Sequence, residues 1–435
     1  MSVSRHGGSE TDRAVSLHRS GHLTRARRLY EEILARDPDD VRALHFLGVL
    51  YHQSGQSDRA IESIERAVAL APDYADAHNN LGNVLKETRR LDAAFVAYRR
   101  VVDLDPGHAD AWNNLGVVLR AQGRYDEADQ AYVRAIEARP THAAAWLNRG
   151  HLLARMRRLD EAAAAYSRVL ELRPRDTAAY DALTRTLYRA GRVEEAIAVF
   201  RQWLTQDPGS SIARHMLAAC TGAAAPVRAS DAYVRDTFDA FAADFDQVLD
   251  HLGYRAPGLI AELLDRLLPA PDRSLVIADA GCGTGLCADF LRPRAKRLIG
   301  VDLSPGMLAK ARARGQYDDL AEAELSAWLA TQAQAVDLIV SADTLCYLGS
   351  LEQPLSAARR ALRPGGLFVF TLERQDEDAR DYRLTPSGRY SHALPYVRTA
   401  LARSGFDRIE IGDVVLRREN GEDVPGLLVR ASRPA

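Results

Sequence analysis

Small, bulky and helix-breaking residues recur with a period of 34 along the first half of the chain. Prolines fall at positions 38, 72, 106, 140, 174 and 208. Glycines at 48, 82, 116 and 150, and alanines in every period, would let two antiparallel helices approach closely. A proline would end the second helix of each pair. The pattern therefore predicts five full helix pairs over 41–210 and a sixth over 11–40.

A bulky residue also recurs once in each period, where it would fill the space beside the small residues. These residues are Tyr30, Ile64, Tyr98, Tyr132, Tyr166 and Phe200. The whole pattern resembles the tetratricopeptide repeat. The resemblance implies an N-terminal all-α solenoid whose first helices line a concave face, where a protein or peptide partner would dock. One further helix, roughly Ser211 to Cys220, would close the array.

Asparagine occupies one repeat position three times, at Asn80, Asn114 and Asn148. This row resembles the asparagines with which some arrays bind a peptide backbone, since an amide both donates and accepts hydrogen bonds. The alternative is that each asparagine caps or braces the neighbouring repeat. Both interpretations remain open from the sequence.

In the second half, short apolar runs end on acidic residues. The run Leu275 to Ala278 ends on Asp279 and leads into a glycine-dense turn, and the run Arg297 to Val301 ends on Asp302. This order predicts a buried parallel strand, a tight loop, a helix and a second strand. An acid at the tip of that second strand is placed to accept hydrogen bonds from a ribose diol.

The turn contains Gly281, Gly283 and Gly285 in the spacing G-x-G-x-G. Glycine suits a sharp backbone turn against which a ligand can lie. A dinucleotide loop would have G-x-G-x-x-G, and here the third glycine comes one residue too early. Alternatively, the glycines only pack a strand against a helix. With the following Val-Asp, the pattern resembles the first two motifs of class I S-adenosylmethionine-dependent methyltransferases.

That resemblance implies S-adenosyl-L-methionine as the cofactor. Its methionine end would lie on the glycine loop, its ribose hydroxyls on Asp302 and its adenine near Glu324. The cofactor-binding candidates are Asp279, Gly281, Cys282, Gly283, Thr284, Gly285, Asp302, Leu303, Glu324 and Asp343.

The remaining runs complete a Rossmann-like α/β domain with a mainly parallel, seven-stranded sheet. The predicted strands after the second cover 322–325, 336–342, 367–371, 406–411 and 426–430. Helices are predicted over 304–314, 352–362 and 397–403. The fourth strand leads into Asp343 to Tyr347, and ligands of such sheets lie at the carboxyl ends of the strands.

Two segments are candidates for the acceptor side of the site. Tyr233 to Leu264 has aromatic residues at helical spacing and resembles the N-terminal lid of many small-molecule methyltransferases; the alternative is that it only covers the sheet. The polar segment Arg380 to Pro395 follows the fifth strand. His392 or Tyr390 could take a proton from the substrate, and Tyr347, after the fourth strand, is a third catalytic candidate. Predicted substrate contacts are Arg389 and Tyr382. A solvated loop is the alternative for this segment.

Length and composition limit the function classes. The 435 residues, 47% of them hydrophobic, predict two globular domains. We assign 11–220 to the repeats, 221–231 to a linker and 232–435 to the methyltransferase domain. A net charge of −2 argues against general affinity for nucleic acid or membranes. Four cysteines without C-x-x-C spacing and a polar N-terminus predict a reduced, cytoplasmic protein.

The leading hypothesis is a methyltransferase that acts on a small-molecule, carrier-bound or peptide acceptor, with the repeats docking a partner. No metal is required for this chemistry. The motifs of amino-directed DNA methyltransferases, cytosine-C5 enzymes and protein arginine enzymes are absent. One alternative is a non-catalytic scaffold that binds the cofactor without turnover. A nicotinamide-dependent oxidoreductase is a third hypothesis, against which the glycine spacing argues.

Overall fold

The computed structural model describes residues 7–223, 225–268, 270–375, 381–419 and 421–435. The chain divides into two units, one ending at Val199 and the other beginning at Phe200. The first unit is helical, and the second contains the sheet. The linker and domain boundaries assigned from the sequence remain predictions.

Six helix pairs follow one another at the period read from the sequence. Their twelve helices are α1 Gly7–Arg19, α2 Leu23–Arg36, α3 Val41–Gln53, α4 Ser57–Leu70, α5 Ala75–Glu87, α6 Leu91–Leu104, α7 Ala109–Ala121, α8 Tyr125–Ala138, α9 Ala143–Arg155, α10 Leu159–Leu172, α11 Thr177–Arg189 and α12 Val193–Gln206. Aspartates cap α3 and α11, where Asp40 accepts the backbone N–H of Ala43 and Asp176 that of Ala179. The all-α repeat fold is confirmed.

The recurring glycines and bulky residues contact each other as predicted. A Cβ atom built on Gly116 would lie 2.6 Å from the Tyr132 ring, and one on Gly150 would lie 2.5 Å from the Tyr166 ring. Both tyrosines are fully or almost fully buried. In the pairs that have this glycine, the helices therefore pack so closely that even one methyl group on it would force a shift.

Four helices precede the sheet in the second unit: α13 Ser211–Thr221, α14 Asp231–Phe241, α15 Phe245–His251 and α16 Ala256–Leu267. The predicted long helix from Tyr233 is thus three separate helices. Helix α13 contacts α14, where the Ser211 hydroxyl donates to Asp236 at 2.5 Å. The His215 ring stacks on Tyr233 with centroids 3.8 Å apart.

The sheet of the described residues has nine strands: β1 Leu275–Ala280, β2 Ala295–Asp302, β3 Asp319–Glu322, β4 Val336–Ser341, β5 Leu362–Arg374, β6 Tyr382–Leu384, β7 Tyr390–His392, β8 Asp407–Glu419 and β9 Glu422–Ser432. The order β3-β2-β1-β4-β5 is parallel, β9 pairs antiparallel with β5, and β8 pairs with β9. Five shorter helices accompany these strands: α17 Ala288–Leu291, α18 Pro305–Arg314, α19 Leu325–Ala330, α20 Glu352–Ala361 and α21 Leu394–Arg403. The predicted Rossmann-like fold is confirmed, but the described sheet has nine strands and not the predicted seven, because β6 and β7 add to it.

Two details of the sheet differ from the sequence prediction. The third strand ends at Glu322, three residues before the predicted end, because Glu324 caps α19, which begins at Leu325. The segment predicted to be irregular forms the hairpin β6–β7, and its last strand continues the sheet beside the end of β5. Arg380, the first residue of that segment, lies outside the described residues, as do residues 376–379 before it.

None of the helices in the described ranges combines the length and the apolar character needed to cross a bilayer.

Candidate active site

The glycine loop connects β1 to α17 and is anchored to the neighbouring strand. The backbone N–H groups of Gly281 and Cys282 donate to the Val301 carbonyl at 2.8 and 3.0 Å. Because β1 and β2 are parallel neighbours, Asp279, the loop and Asp302 meet at one edge of the sheet. This is the edge where ligands bind in folds of this class.

Each of the three glycines of the loop is favoured at its position for its own physical reason. A Cβ on Gly281 would lie 2.1 Å from the Thr344 hydroxyl, and one on Gly285 would lie 3.0 Å from the Tyr317 ring. Gly283 has φ +53°, and among the described atoms a Cβ there would meet nothing closer than Phe245 at 4.0 Å. Gly281 and Gly285 therefore allow close packing, whereas Gly283 presents bare backbone to open space.

Asp302 connects the glycine loop to the residues that follow β2. Its carboxylate accepts the Gly283 N–H and the Ser304 N–H, each at 2.9 Å. Burial raises the pKa of Asp302, and the backbone hydrogen bonds from Ser304 and Gly283 oppose the rise. Each carboxylate oxygen can accept more than one hydrogen bond, so Asp302 can still bind a diol.

Asp279 lies behind the loop and is 1% exposed. The Tyr317 hydroxyl donates to one of its oxygens at 2.6 Å, but the other oxygen, Oδ1, has no hydrogen-bond partner among the described residues. Burial raises the pKa of Asp279 to about 7. A buried polar atom without a partner is costly and needs an explanation.

A cavity of about 200 Å³ opens beside Asp302 and the bare backbone of Gly283. Ten of the sequence-predicted site residues line it, namely Gly281, Cys282, Gly283, Thr284, Asp302, Leu303, Glu324, Asp343, Tyr347 and Arg389. The other predicted residues of the second unit do not line it, namely Asp279, Gly285, Tyr382, Tyr390 and His392. The structure thus brings most of the predicted cofactor residues to one space.

Glu324 has a second role. Its carboxylate accepts the backbone N–H of Ala327 at 2.8 Å and so caps α19. The capped helix holds Glu324 at the cavity wall beyond the end of β3.

Aromatic side chains of α14 and α15 cover the cavity. Phe238 lies edge-on to Phe245, with ring centroids 6.0 Å apart, and edge-on to Tyr347, with centroids 5.4 Å apart. All three line the cavity. Burial raises the pKa of Tyr347 well above its ordinary value, so its hydroxyl keeps its proton.

Two aspartates connect these helices to the loops that follow β1 and β2. Asp246 of α15 accepts from the Thr284 hydroxyl at 2.5 Å and from Arg314 at 2.6 Å. Asp239 of α14 accepts from the Ser304 hydroxyl at 2.5 Å and from the Gly306 N–H at 3.0 Å. The cover is therefore tied to both motifs at once.

A buried charge cluster forms the opposite wall. Arg417 of β8 is 3% exposed at its side chain and donates to Asp343 at 2.8 Å, to Glu419 at 2.7 Å and to Glu373. Arg389 donates to the same two glutamates, at 2.6 Å to Glu373. Asp343, Arg389 and Arg417 line the cavity. Burial raises the pKa of Asp343, and the charge of Arg417 opposes that rise.

The structure does not bring the predicted proton acceptors His392 and Tyr390 to the cavity. Both are 0% exposed. The His392 Nε2–H donates to the carbonyls of Leu348 and Gly349 at 2.9 and 3.1 Å, and burial lowers its pKa to about 4. Their contacts hold the hairpin in place, so of the three predicted catalytic residues Tyr347 alone lines the cavity.

Tyr382 lies in the same buried layer. A Cβ on Gly349 would lie 2.5 Å from its ring, which also contacts Tyr390, His392 and Tyr396. These contacts explain why Tyr382 faces away from the cavity that Arg389 lines. Its predicted substrate contact remains without a geometric basis.

Part of the predicted linker also belongs to the cavity wall. The Val227 carbonyl accepts the N–H groups of Gly349 and Ser350 at 2.9 Å, and the Ala229 N–H donates to the Tyr347 carbonyl at 2.8 Å. Arg228, between them, lines the cavity. The proline and small residues that suggested a linker here allow an extended strand-like crossing instead.

Sequence reasoning missed Arg417, Arg228 and Tyr254 as lining residues. Arg417 carried one signal, since a charged Arg-Arg-Glu run directly follows the apolar residues 414–416 of β8. Its partners Asp343 and Glu373 lie 74 and 44 residues away in sequence, so no local motif connects them.

In the first unit, the asparagine row contacts the preceding repeat. Asn80 Nδ2 lies 2.7 Å from His45 Nε2, and Asn148 donates to Asn113 at 3.0 Å. Asn114 donates to Asn83 at 3.3 Å. These contacts favour the bracing interpretation, and the peptide-binding role of the row stays a prediction.

Family models match both parts of the chain. A methyltransferase domain model matches residues 278–370, and a tetratricopeptide repeat model matches five overlapping segments between residues 11 and 211. Both resemblances inferred from the sequence are confirmed.

Three known proteins illustrate the similarity. Methyltransferase-like protein 27 of Homo sapiens is 49% identical over 84 residues, 19% of this chain and 34% of that protein. Malonyl-[acyl-carrier protein] O-methyltransferase of Geobacter sulfurreducens is 31% identical over 224 residues, 46% of this chain and 79% of that protein. The crystal structure of MamA is 30% identical and matches 37% of this chain and 93% of its own, with a TM-score of 0.35.

Coverage of other relatives is partial. The chain spans 34% of the human protein and 50% and 57% of two bacterial methyltransferases. The Geobacter relative, however, is covered over most of its length. The chain belongs to the methyltransferase family and carries that domain behind a run of tetratricopeptide repeats.

Proposed function

We propose that the chain is an S-adenosylmethionine-dependent methyltransferase that methylates an oxygen atom of a small-molecule, carrier-bound or peptide acceptor. In this proposal the repeats over 11–220 dock a protein or peptide partner, and 232–435 carries the chemistry. The observation that carries the proposal is the Asp302 carboxylate beside the exposed backbone of Gly283 at the cavity.

The residues present fit this cofactor. Gly283 leaves open space where any side chain would intrude. Asp302 retains acceptor capacity for two neighbouring ribose hydroxyls. Asp279 lies behind the loop and does not line the cavity, so it would act on the cofactor through its charge and not through a direct contact. The acidic side chains of Asp279, Asp302 and Glu324 would disfavour a negatively charged pyrophosphate, which argues against a dinucleotide cofactor.

Each part of the cofactor would have its own residues. Asp302 would bind the ribose hydroxyls, Glu324 and Leu303 the adenine, and the loop from Gly281 to Thr284 the methionine end. Leu303 and Glu324 both line the cavity next to Asp302, which suits an adenine attached to the ribose.

S-adenosylmethionine supplies a methyl group on a positively charged sulfur. Transfer is an in-line displacement, so the protein contributes chiefly by positioning, an effect worth up to about 7–11 kcal/mol. Phe238, Phe245 and Tyr347 would exclude water from the reacting groups, because they cover the cavity.

The acceptor would lie against Arg389. Its Nε and Nη2 bind glutamates, but among the described residues its Nη1 has no hydrogen-bond partner. That nitrogen can donate to an acceptor oxygen. The described cavity lining contains no histidine, so an acceptor that arrives ionised, or that gives its proton to Asp343, suits this site. The Geobacter relative named above is an O-methyltransferase.

Calorimetric titration with S-adenosylmethionine tests the cofactor assignment. We expect binding by the wild type and an affinity loss of about a hundredfold for Asp302→Ala, because charged hydrogen bonds are lost. Asp319→Ala, an exposed acid of β3 that pairs with Arg297, is the control and should bind normally. Unchanged affinity for Asp302→Ala, with the Asp302→Asn variant also normal, would refute the ribose assignment.

Turnover separates the enzyme from a non-catalytic scaffold. The full chain is incubated with a cell lysate and a methyl-labelled donor, and labelled products are recovered. We expect label transfer that Arg389→Gln reduces and that Arg383→Gln, the exposed neighbour in β6, leaves unchanged. Cofactor binding without any transfer would identify a scaffold.

A further inference from the structure

The hydroxyl of Tyr254 is available to a ligand at the cavity. Tyr254 lies in the turn between α15 and α16 and lines the cavity, and its hydroxyl has no hydrogen-bond partner among the described residues. Burial raises the pKa of Tyr254 well above its ordinary value, so the hydroxyl keeps its proton and can donate it. A hydroxyl that leaves water without a partner is costly, and a ligand with an acceptor atom would remove that cost.

Main-chain hydrogen bonds place Tyr254 beside the buried charge cluster. Two such bonds join the turn to β8, from the Arg418 N–H to the Leu252 carbonyl at 2.7 Å and from the Arg255 N–H to the Leu416 carbonyl at 2.8 Å. Tyr254 and Arg417 lie between these two bonds, one on each segment, and both line the cavity. The turn is therefore fixed to β8 at the residue whose guanidinium group binds Asp343.

Arg389 reaches the same part of the cavity from the β6–β7 hairpin. The Oε1 atom of Glu373 accepts from both Arg389 and Arg417, and so does the Oε1 atom of Glu419. Because they share these two oxygens, the two guanidinium groups lie side by side. Neither glutamate is among the described residues that line the cavity, whereas both arginines are. The unpartnered Nη1 of Arg389 is thus a second donor close to Tyr254.

The acids and the arginines of the cavity lie on opposite sides of β1. Asp302 ends β2 and Glu324 follows β3, whereas Arg389 precedes β7 and Arg417 lies in β8. In the sheet, β2 and β3 are on one side of β1, while β4, β5 and β7 are on the other, where β9 connects β8 to β5. With the cofactor ribose on Asp302, the side with the arginines is left for the acceptor.

That side of the described lining offers hydrogen-bond donors and no unengaged base. Asp343 is its carboxylate, but Oδ2 binds Arg417 at 2.8 Å and Oδ1 accepts from the Thr371 hydroxyl at 3.2 Å. Proton transfer to Asp343 would weaken its ion pair with Arg417. An acceptor that arrives ionised avoids this loss. A carboxylic acid, with a pKa of about 4, is ionised at neutral pH, whereas a phenol, with a pKa of about 10, is not.

We propose that the methyl acceptor is a carboxylate that the Tyr254 hydroxyl and Arg389 Nη1 bind. This inference rests on the methyl transfer proposed above. One carboxylate oxygen attacks the methyl carbon of the cofactor, and the carbon–sulfur bond breaks with its electron pair passing to sulfur. The products are a methyl ester and a neutral thioether, and no proton moves. Tyr254 and Arg389 orient the attacking oxygen, since a carboxylate can accept hydrogen bonds from both.

The stability of the product in alkali tests the acceptor class. The full chain is incubated with a cell lysate and methyl-labelled S-adenosylmethionine, and the labelled products are then treated with mild base. Methyl esters of carboxylates release labelled methanol, whereas methyl ethers, thioethers and methylamines keep the label. We expect most of the label to be released. Label that stays bound would overturn this inference and leave the methyltransferase proposal intact, while absence of any labelled product would overturn both.

Tyr254→Phe tests the contribution of the hydroxyl. Because this substitution removes an atom without a partner, we expect unchanged circular dichroism and cofactor affinity, but about tenfold slower formation of base-labile product in dilute lysate. The deficit should shrink as the lysate is concentrated, since the hydroxyl binds the acceptor.

Tyr396→Phe is the matched control. The Tyr396 hydroxyl, in α21, accepts the Leu351 N–H at 2.9 Å, and Tyr396 is not among the described residues that line the cavity. This variant should form base-labile product at the wild-type rate. A wild-type rate for Tyr254→Phe in dilute lysate would refute its role in binding the acceptor. An equal deficit at every lysate concentration would refute it too, because that result indicates a structural effect.

Discussion

In the repeat array the packing contact between a glycine and a tyrosine recurs every 34 residues, whereas the contacts around the cavity join segments that are far apart in sequence. Gly116 against Tyr132 has a counterpart in Gly150 against Tyr166. The hydrogen bonds of Asp246 to Thr284 and of Asp239 to Ser304 join residues that are 38 and 65 positions apart in sequence. Neither bond recurs at a fixed period in the described part of the chain. The packing of the array therefore follows from one repeated sequence pattern, whereas the residues of the site come from segments that are far apart in sequence.

This difference predicts how each region responds to substitution. In the array, one altered contact leaves its equivalents in the other repeats, because each repeat packs chiefly against its neighbours. In the second unit, one residue can contact several elements at once, as Arg417 contacts the loop after β4, β5 and β8. Single substitutions should therefore have their largest effects around the charge cluster.

The largest effect is expected for Arg417→Ala. It leaves Asp343, Glu373 and Glu419 facing one another with Arg389 as their remaining cation in the cluster. Removing one member of a buried ionic network costs about 3–5 kcal/mol. The free energy of unfolding, measured with urea, should fall by that amount.

The adjacent Arg418→Ala is the control for this substitution. Arg418 is 71% exposed at its side chain and pairs with Asp423. An exposed pair contributes about 1 kcal/mol or less. Similar losses of unfolding free energy for Arg417→Ala and Arg418→Ala would mean that the buried charge cluster contributes no more to stability than an exposed ion pair.

The comparison also explains what the sequence could predict. The helix pairs and the contact of Gly116 with Tyr132 followed from spacing, because the partners lie 16 residues apart in every repeat. The glycine loop and Asp302 followed from a compact motif. By contrast, the strand boundary at Glu322 was misplaced, since a capping glutamate and a strand glutamate look alike in sequence.

The position of His392 and Arg389 relative to the cavity could not be predicted, for a different reason. His392 and Arg389 are close in sequence, and either could have reached the cavity. The pairing of β7 with the end of β5 turns His392 towards the carbonyls of Leu348 and Gly349. Burial in a long-range pairing decides such orientations, and a single sequence carries no pattern for it.

A second test compares glycines of the two units. Gly116→Ala adds a methyl group 2.6 Å from the Tyr132 ring and should destabilise the chain by about 2 kcal/mol. Gly258→Ala, in α16, meets no described atom within 4 Å. It should stabilise the chain by up to about 1 kcal/mol, because alanine favours helices.

Urea-unfolding midpoints of both variants check this pair, and titration with S-adenosylmethionine should give wild-type affinity for each. Stabilisation by Gly116→Ala would show that the helices of the array do not pack as closely as described. Loss of cofactor binding by Gly116→Ala would show that packing within the array affects the affinity of the site for the cofactor.

A third test uses pH. Asp279 in the folded chain has a pKa of about 7, against 3.8 ordinarily, because it is buried. Between these values the folded chain keeps a proton that the unfolded chain has lost, so the unfolding free energy falls as pH rises and levels off above the folded pKa. We expect Asp279 to contribute a loss of about 2 kcal/mol between about pH 5.5 and about pH 8.

The variant Asp279→Asn isolates this contribution, since it cannot ionise but can still accept from Tyr317. Its stability, relative to the wild type, should rise as pH increases through the window. A constant difference between the two proteins across these pH values would mean that Asp279 is ionised in the folded chain throughout.

The smallest expected effect tests whether equivalent repeats are also equal in energy. Tyr98 and Tyr132 occupy the same repeat position, but the Tyr98 hydroxyl donates to Asn83 at 2.6 Å, while the Tyr132 hydroxyl has no partner in the described part of the chain. Tyr98→Phe should therefore cost about 1 kcal/mol, and Tyr132→Phe should be neutral or stabilising by up to about 1 kcal/mol. Urea-unfolding midpoints measure the difference. Equal effects would indicate that the repeat position alone sets the energy of the side chain, and that its hydrogen bond adds nothing.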